Sequence, residues 1–207
     1  MHRDVPIGEW RFQIAEPLRP QNLTIGYTSP SMKPAGSVLI SELEIQRRVS
    51  EMGAQISEDY KGRSLAVVGI LKGSFIFIAD LIRHIDPSIP VEVEFITVNS
   101  YGSGTVSSGE LRMDRNIEIP LAGKDVLLVE DIVDSGLTLE GVRDLLASRD
   151  PRSVRIATLV EKESARRHPL TLDYVGFRIP DVFVVGYGLD VAQQYRNLKE
   201  IHILDAQ

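Results

Sequence analysis

Apolar residues in this chain recur with two different periods, and the alternation of these periods predicts the elements of the fold. From Ser41 onwards the spacing is that of an amphipathic helix. The apolar positions of this segment are Leu43, Ile45, Val49, Met52 and Ile56. Ser41 and Glu44 stand at the spacing of a capping box, so we expect the helix to begin beside them.

Nearly continuous apolar runs of strand length follow, and segments with helical spacing separate most of them. The predicted strands are Leu65–Leu71, Val91–Val98, Asp125–Glu130, Ser153–Val160 and Val182–Gly186. The predicted helices are Phe75–Ile85 and Leu137 to about Ser148. Because runs of this kind are buried on both faces, they predict an α/β domain with an open, mostly parallel sheet flanked by helices.

The first residues of the chain follow neither period. Met1 to Gly36 contain five prolines, which favours an extended segment over a helix or a central strand. We therefore predict a partly ordered N-terminal arm over residues 1–37. Residues 38–207 are expected to form one domain, with a small hood built by the chain ends.

The composition of the chain excludes several kinds of site and several classes of protein. The chain has no cysteine, which excludes disulfides, thiolate nucleophiles and zinc–thiolate sites and fits a reducing cytoplasm. No apolar run approaches the length of a membrane span, and the N-terminus lacks a signal-peptide core, so we expect neither membrane insertion nor secretion. The net charge of −6 gives no general attraction for nucleic acid.

The segment from Val126 to Thr138 carries the clearest chemical signal. Its apolar strand ends in the carboxylates Glu130 and Asp131, and a Ser-Gly-x-Thr turn then opens the helix at Leu137. A helix N-terminus presents unpaired N–H groups and the positive end of its dipole, which suits a phosphate. The two carboxylates suit sugar hydroxyls or a magnesium shell instead. A ligand that combines phosphate, diol and metal is a ribose phosphate.

Two common phosphate-binding motifs are absent from the sequence. Gly136 is followed by Leu137 rather than Lys, so there is no Walker A loop, and no G-x-G-x-x-G follows a strand. The alternative to a phosphate-binding site is that the segment has only a structural role, as an ordinary strand–turn–helix corner in which Asp134 or Ser135 caps the helix.

The segment Val129 to Thr138 resembles the phosphoribosyl-pyrophosphate (PRPP) signature of type I phosphoribosyltransferases, most closely that of the hypoxanthine-guanine branch. The resemblance extends over five motifs between Val38 and Leu204. It implies that Glu130 and Asp131 bind the ribose hydroxyls, directly or through Mg²⁺, and that Asp134 is the general base for purine N7. The 5′-phosphate would be bound by Asp134, Ser135, Gly136, Leu137 and Thr138.

The ends of the other predicted strands carry the remaining motifs, and their roles come from the same resemblance. Lys72, Gly73 and Arg196 would bind pyrophosphate, and in this family the peptide that corresponds to Leu71–Lys72 is often cis. Ser100 and Tyr101 would belong to a lid that closes over the reacting centre. Lys162 would donate to O6 of the purine and so act in catalysis and base selection. Further purine contacts would come from Phe183, Val184 and Asp190, and Asp190 would join Glu130 and Asp131 in holding the metal.

The implied activity is that of a pentosyltransferase of purine salvage. It would transfer the 5-phosphoribosyl group from PRPP to N9 of hypoxanthine or guanine, giving IMP or GMP and pyrophosphate with Mg²⁺ as cofactor. The family also implies a homodimer or homotetramer. Two alternatives stay open: a nucleotide-sensing, RNA-binding regulator on the same fold, and an enzyme for another base such as xanthine.

Overall fold

The computed structural model describes residues 36–100, 111–113, 117–165 and 170–204. Its helices are α1 (Glu42–Asp59), α2 (Phe75–Arg83) and α3 (Leu137–Ala147), with a 3₁₀ turn at Glu163–Ala165. Its strands are β1 (Val38–Ile40), β2 (Leu65–Leu71), β3 (Val91–Ser100), β4 (Leu111–Met113), β5 (Asp125–Val133), β6 (Ser153–Lys162), β7 (Tyr174–Ile179), β8 (Val184–Val185) and β9 (Ile201–Ile203). Most of the predicted arm, and Tyr101 of the predicted lid, lie outside the described residues.

A six-stranded sheet forms the centre of the domain, in the order β4-β3-β2-β5-β6-β7. Five of these strands are parallel, and the edge strand β4 runs antiparallel to β3. The predicted fold class is therefore confirmed. The direction of winding reverses between β2 and β5, and the crevice at such a switch point is where open α/β sheets bind ligands.

Strand residues alternate between two apolar cores, one on each face of the sheet. In β5, Leu127 and Val129 join the core that also contains the buried residues of α1 and α2. Val126 and Leu128 join the other core, with the buried residues of α3. This alternation explains why the runs are apolar at every position, since both faces are covered.

The start of α1 follows its prediction. Ser41 Oγ accepts a hydrogen bond from the Glu44 amide at 3.4 Å, and the Ser41 amide donates to Glu44 Oε2 at 2.9 Å, which completes the capping box. The assignment of Leu43 to the apolar face is wrong, because this side chain is 75% exposed. Position 43 lies in the first turn, where the buried stripe of α1 has not yet begun.

The strand predicted at Val182–Gly186 does not lie in the parallel sheet. Its centre forms the two-residue strand β8, which pairs antiparallel with β9 in a separate three-stranded sheet, β1-β9-β8. This small sheet joins both ends of the described chain and is the expected hood. The edge of the parallel sheet is β7 instead, a strand that the apolar pattern did not reveal because three of its six residues are only partly buried.

Three parallel strands are longer than predicted, and β3 continues to Ser100. β5 continues to Val133 and β6 to Lys162, because these extensions pair with each other through Val133 and Glu161. Glu130 and Asp131 therefore lie inside a strand and not in a loop after it. In the described part of the chain, no helix is long and apolar enough to cross a membrane.

Candidate active site

The carboxyl ends of the parallel strands bring most of the predicted site residues to one edge of the sheet. Lys72 directly follows β2, Asp134 directly follows β5, and Lys162 is the last residue of β6. The parallel register places these ends side by side, since Val133 pairs with Glu161 and Lys162 pairs with Ile179 of β7. The segments are far apart in sequence, so the sheet alone makes them neighbours.

The turn before α3 places a glycine, which has no side chain to cap the helix, at the N-cap position. Gly136 is the N-cap residue, with φ at +85°, a left-handed conformation that glycine adopts without steric cost. Ser135 Oγ accepts only a long hydrogen bond, 3.5 Å, from the Leu137 amide, and the N-cap position belongs to Gly136 and not to Asp134 or Ser135. The positive end of α3 is thus open to an anion beside Ser135 and Thr138.

Two carboxylates are buried beneath this edge. Asp131 is 8% exposed, and the buried Glu130 Oε2 has no hydrogen-bond partner among the described residues. Burial raises the pKa of Asp131 to about 6, a rise that two backbone N–H groups and Arg196 moderate. Burial and the neighbouring charge of Asp131 raise the pKa of Glu130 well above its usual range. Unpaired buried carboxylates are costly, and such groups cluster where a cation or a polar ligand binds.

Gly73 is necessary for the position of Asp131. A Cβ atom added to Gly73 would lie 1.6 Å from Asp131 Oδ2, so any larger residue would displace the carboxylate. The contact spans the switch point, since Gly73 follows β2 and Asp131 belongs to β5. The Leu71–Lys72 peptide bond, just before Gly73, is cis, as the family resemblance implied.

A pocket of about 210 Å³ lies beside these groups. It is lined by Asp131, Ile132, Asp134, Lys162, Phe183, Val184, Leu189 and Asp190. Phe183 is 54% exposed and so presents its ring to the pocket instead of to the core. An exposed aromatic face in a polar cleft can stack on a planar ring.

Lys162 supplies the positive charge among the residues that line the pocket. Its side chain is only 9% exposed, and Nζ lies 3.7 Å from Asp134 Oδ2 and 3.3 Å from Asp181 Oδ1. Both carboxylates are more than half exposed. The ammonium is therefore held between two acceptors and can donate to a third on the pocket side.

Main-chain groups of Val184 face the same pocket. The Leu204 amide donates to the Phe183 carbonyl at 2.8 Å, and Val184 pairs with Ile203 of β9. Backbone groups alternate in direction along an antiparallel strand, so those of Val184 point away from β9. β8 is the edge strand of its sheet, so the N–H and C=O groups of Val184 point to the open side of that sheet. There the N–H group can donate to a planar ligand and the C=O group can accept from it.

The loop that follows β8 contains Arg196 and, through Gln193, contacts Lys72. Arg196 Nη2 lies 2.6 Å from Asp190 Oδ1, and Arg196 Nη1 donates to the Gly188 carbonyl at 2.6 Å. Gln193 Oε1 accepts from Lys72 Nζ at 3.5 Å and from Arg196 Nη2 at 3.4 Å. Lys72 and Arg196 thus converge on one oxygen atom, as two cations that bind the same anion would.

The acidic residues fit a magnesium ion that arrives with its ligand. Within the described ranges, no three His, Cys, Asp or Glu side chains are grouped so as to form a metal site by themselves. Mg²⁺ is commonly held by one or two carboxylates together with phosphate oxygens and water. A magnesium ion would give the unpaired Glu130 Oε2 a partner. It would also offset the repulsion between the charges of Asp131 and Asp190.

Sequence reasoning missed two residues of this site. Asp181 holds Lys162, and Gln193 joins Lys72 to Arg196. Neither residue type is distinctive at its position, and no periodicity marks them, so only their tertiary neighbours identify them. Of the predicted lid, Ser100 ends β3 and pairs with Leu111 of β4, whereas Tyr101 lies outside the described residues.

Comparisons with known proteins agree on one family. Residues 40–192 match the phosphoribosyl transferase domain. The chain is 47% identical over 167 residues to the hypoxanthine-guanine phosphoribosyltransferase of Bacillus subtilis, covering 81% of this chain and 92% of that protein. It is 47% identical over 172 residues to the hypoxanthine phosphoribosyltransferase of Escherichia coli, covering 82% and 96%. The crystal structure of a hypoxanthine phosphoribosyltransferase from Staphylococcus aureus superimposes with a TM-score of 0.79 at 44% identity, covering 83% of this chain and 92% of that one.

Proposed function

The chain belongs to the phosphoribosyltransferase family, and from this premise we propose the reaction that it catalyses and the role of each site residue. The chain is a purine-salvage enzyme that transfers the 5-phosphoribosyl group from PRPP to N9 of hypoxanthine or guanine. The products are the nucleoside 5′-monophosphate and pyrophosphate. One observation supports this assignment most directly: Asp134 and Lys162 line a single pocket with Phe183, at the edge where α3 begins at Gly136.

The pocket residues recognise and activate the base. Phe183 stacks on the purine, and the backbone of Val184 contacts its edge together with Asp190. Lys162 donates to O6, which adenine lacks, and this donor favours 6-oxopurines. As N9 attacks the anomeric carbon and the bond to pyrophosphate breaks, Asp134 accepts the proton that leaves N7.

The rest of the site holds PRPP. The open N-terminus of α3 binds the 5′-phosphate through Asp134, Ser135, Gly136, Leu137 and Thr138. Lys72, Gly73 and Arg196 bind the pyrophosphate, where donors matter most because negative charge develops on the leaving group. Glu130 and Asp131 bind the ribose hydroxyls, which fixes the sugar for displacement.

Magnesium belongs to the proposal. When bound with PRPP it neutralises charge on the leaving pyrophosphate, and the residues that would hold it, directly or through water, are Glu130, Asp131 and Asp190. Ser100 and Tyr101 are proposed to close over the site and exclude water. We further propose a cytoplasmic enzyme that works as a homodimer or homotetramer, with residues 1–37 as an arm outside the catalytic domain. The alternative of an RNA-binding regulator receives no support from the relatives above, which are named as transferases.

Pyrophosphate release tests the assignment. With PRPP and magnesium present, we expect turnover with hypoxanthine and guanine but not with adenine or uracil, and chelation of the magnesium should abolish it. Xanthine is included because an enzyme for that base is the remaining alternative. A chain that binds PRPP but turns over none of these bases would contradict the proposed function.

Replacement of Lys162 by methionine should weaken selection for 6-oxopurines. The substitution keeps the volume of the side chain and removes the donor, so kcat/KM for hypoxanthine is expected to fall about 10- to 100-fold, as for loss of a charge-assisted hydrogen bond. Adenine does not use this donor, so its inhibition constant against hypoxanthine should change little. Lys199→Met is the matched control, since Lys199 is an exposed lysine that pairs with Glu42. An equal loss in both variants would argue against recognition of O6.

A further inference from the structure

The hydrogen bond between Tyr187 and Asp80 joins the two segments that carry the proposed pyrophosphate ligands. We propose that this bond is a positioning contact, which holds Lys72 and Arg196 at the separation that pyrophosphate requires. The inference rests on the proposed function, because it assigns a structural cause to the geometry of that site. Neither Tyr187 nor Asp80 belongs to the ligand sets described above.

The hydrogen bond is short, and its tyrosine side is buried away from solvent. Tyr187 Oη donates to Asp80 Oδ2 at 2.6 Å, although the residues are 107 positions apart in the chain. Tyr187 is 6% exposed, and burial, together with the Asp80 carboxylate, raises its pKa. The phenol is therefore protonated at neutral pH and acts as a charge-assisted donor, which is among the stronger kinds of hydrogen bond.

Each partner belongs to a segment that carries one of the proposed pyrophosphate ligands. Asp80 lies on α2, which begins immediately after Lys72, Gly73 and Ser74. Tyr187 precedes Gly188, whose carbonyl accepts from Arg196 Nη1 at 2.6 Å. The Tyr187 amide also donates to the carbonyl of Leu198 at 2.8 Å, beyond Arg196 in the chain. A displacement of Tyr187 would therefore move the backbone on both sides of Arg196.

The two segments also touch through their main chains. A Cβ atom on Gly188 would lie 2.1 Å from the Gly73 carbonyl oxygen, so these glycines allow a contact that other residues would prevent. Close to this contact, Lys72 and Arg196 share Gln193 Oε1 as an acceptor. The hydrogen bond and the glycine contact thus fix the position of one segment relative to the other at two separate points.

Packing alone does not determine the position of Asp80. A cavity of about 230 Å³ adjoins the hydrogen bond and is lined by Gln46, Val49, Asp80, Arg83, His84 and Tyr187. Arg83 Nη1 lies 3.7 Å from Asp80 Oδ1, but its side chain is 79% exposed, and exposed pairs of this kind contribute little. Tyr187 also has a φ of +50°, a conformation that a bulky residue adopts only where its surroundings hold it. Tyr187 lies in the same apolar core as the buried residues of α2, and the hydrogen bond adds to this packing a directional restraint on Asp80.

Tyr187→Phe tests the proposal, with Tyr174→Phe as a matched control. Tyr174 Oη donates to Asp59 Oδ2 at the same distance of 2.6 Å and is also buried, but it begins β7 at the end remote from the site. Both variants lose one tyrosine–aspartate hydrogen bond, and Tyr174→Phe also loses the bond that Tyr174 Oη accepts from Arg155 Nη1 at 2.9 Å, so the control should lose at least as much thermal stability. Only Tyr187→Phe should raise the KM for PRPP and the inhibition constant of pyrophosphate, by about fivefold, which is a typical loss for one hydrogen bond. The KM for hypoxanthine should stay within about twofold in both.

Three further variants keep the test decisive if Tyr187→Phe does not fold. Asp80→Ala should raise the KM for PRPP as Tyr187→Phe does, whereas Asp80→Asn, which retains an acceptor oxygen but loses the charge, should raise it less. Arg83→Ala controls for the loss of the ion pair and should leave this KM unchanged. An unchanged KM in Tyr187→Phe and Asp80→Ala, or an equal rise in Tyr174→Phe, would overturn the positioning role. A wild-type protein without turnover would instead overturn the proposed function.

Discussion

Asp134→Asn is expected to lower kcat for hypoxanthine by about 10²- to 10⁴-fold, the usual range for loss of a general base. The amide keeps the size of the side chain but cannot accept the proton that leaves N7. Asp134 is more than half exposed, so the substitution should hardly change the free energy of unfolding. Steady-state kinetics with saturating PRPP measure this loss, and a thermal melt shows whether the fold is intact.

Asp181→Asn is the control for this experiment. Asp181 is as exposed as Asp134 and also lies close to Lys162, at 3.3 Å compared with 3.7 Å. Both substitutions remove one carboxylate from the same ammonium, but only Asp134 is proposed to accept a proton. If kcat falls equally in both variants, the role of Asp134 is to orient Lys162, and the general-base assignment is wrong.

Asp131→Asn is expected to abolish most of the affinity for PRPP with magnesium and, at the same time, to stabilise the ligand-free protein. The buried carboxylate is proposed to bind a metal and sugar hydroxyls, and without them its ionised form is unfavourable. Its pKa rises from 3.8 to about 6 on folding. A shift of this size corresponds to about 3 kcal/mol. We therefore expect a higher unfolding temperature at neutral pH together with the loss of PRPP binding.

The sign of the pH dependence follows from the direction of the shift. Between about pH 4 and pH 6 the folded state holds the Asp131 proton more tightly than the unfolded state does, so the contribution of this group to stability falls as the pH rises through that window. The asparagine variant should gain little at pH 4.5 and most at pH 7.5, as measured by urea denaturation. For the same reason, PRPP should bind the wild type less tightly below pH 6.

Asp125→Asn, on the same strand, is expected to change the stability of the protein in the opposite direction. Asp125 is fully buried but paired, with Arg152 Nη1 at 3.1 Å and Ser153 Oγ at 2.7 Å. Removal of its charge leaves an unmatched cation, so this variant should lose stability while Asp131→Asn gains it. A loss of stability in Asp131→Asn at pH 7.5 would show that the carboxylate has a stabilising partner, and the proposed trade-off between stability and binding would be wrong.

Elements with a strong local signal were predictable almost to the residue. The bounds of β2 and the start of α2 match their predictions, and Ser41 and Glu44 form the predicted capping box. The motif around Gly136 was also readable, because a strand, a glycine turn and a helix are contiguous in the chain. The family resemblance named further site residues, and the structure brings Lys72 close to Arg196 and Asp134 close to Lys162.

The errors arose where the pattern of a segment does not indicate its neighbour. An apolar run such as Val182–Gly186 does not reveal whether its neighbour is parallel or antiparallel, and here the neighbour is β9, close to the C-terminus of the chain. β1 and β9, with three residues each, are too short to produce a period. The residues Asp181 and Gln193 had no local signal at all.

The sequence by itself determined the class of fold, the phosphate-binding turn and the residue types that the chemistry needs, because each of these depends on neighbours along the chain. The tertiary structure decided the ionisation of Asp131, the contact of Gly73 with that carboxylate, the placement of Lys162 between two acceptors and the bond from Tyr187 to Asp80. These properties depend on burial and on distances between atoms of separate segments. Such distances exist only once the sheet has brought the ends of its strands together.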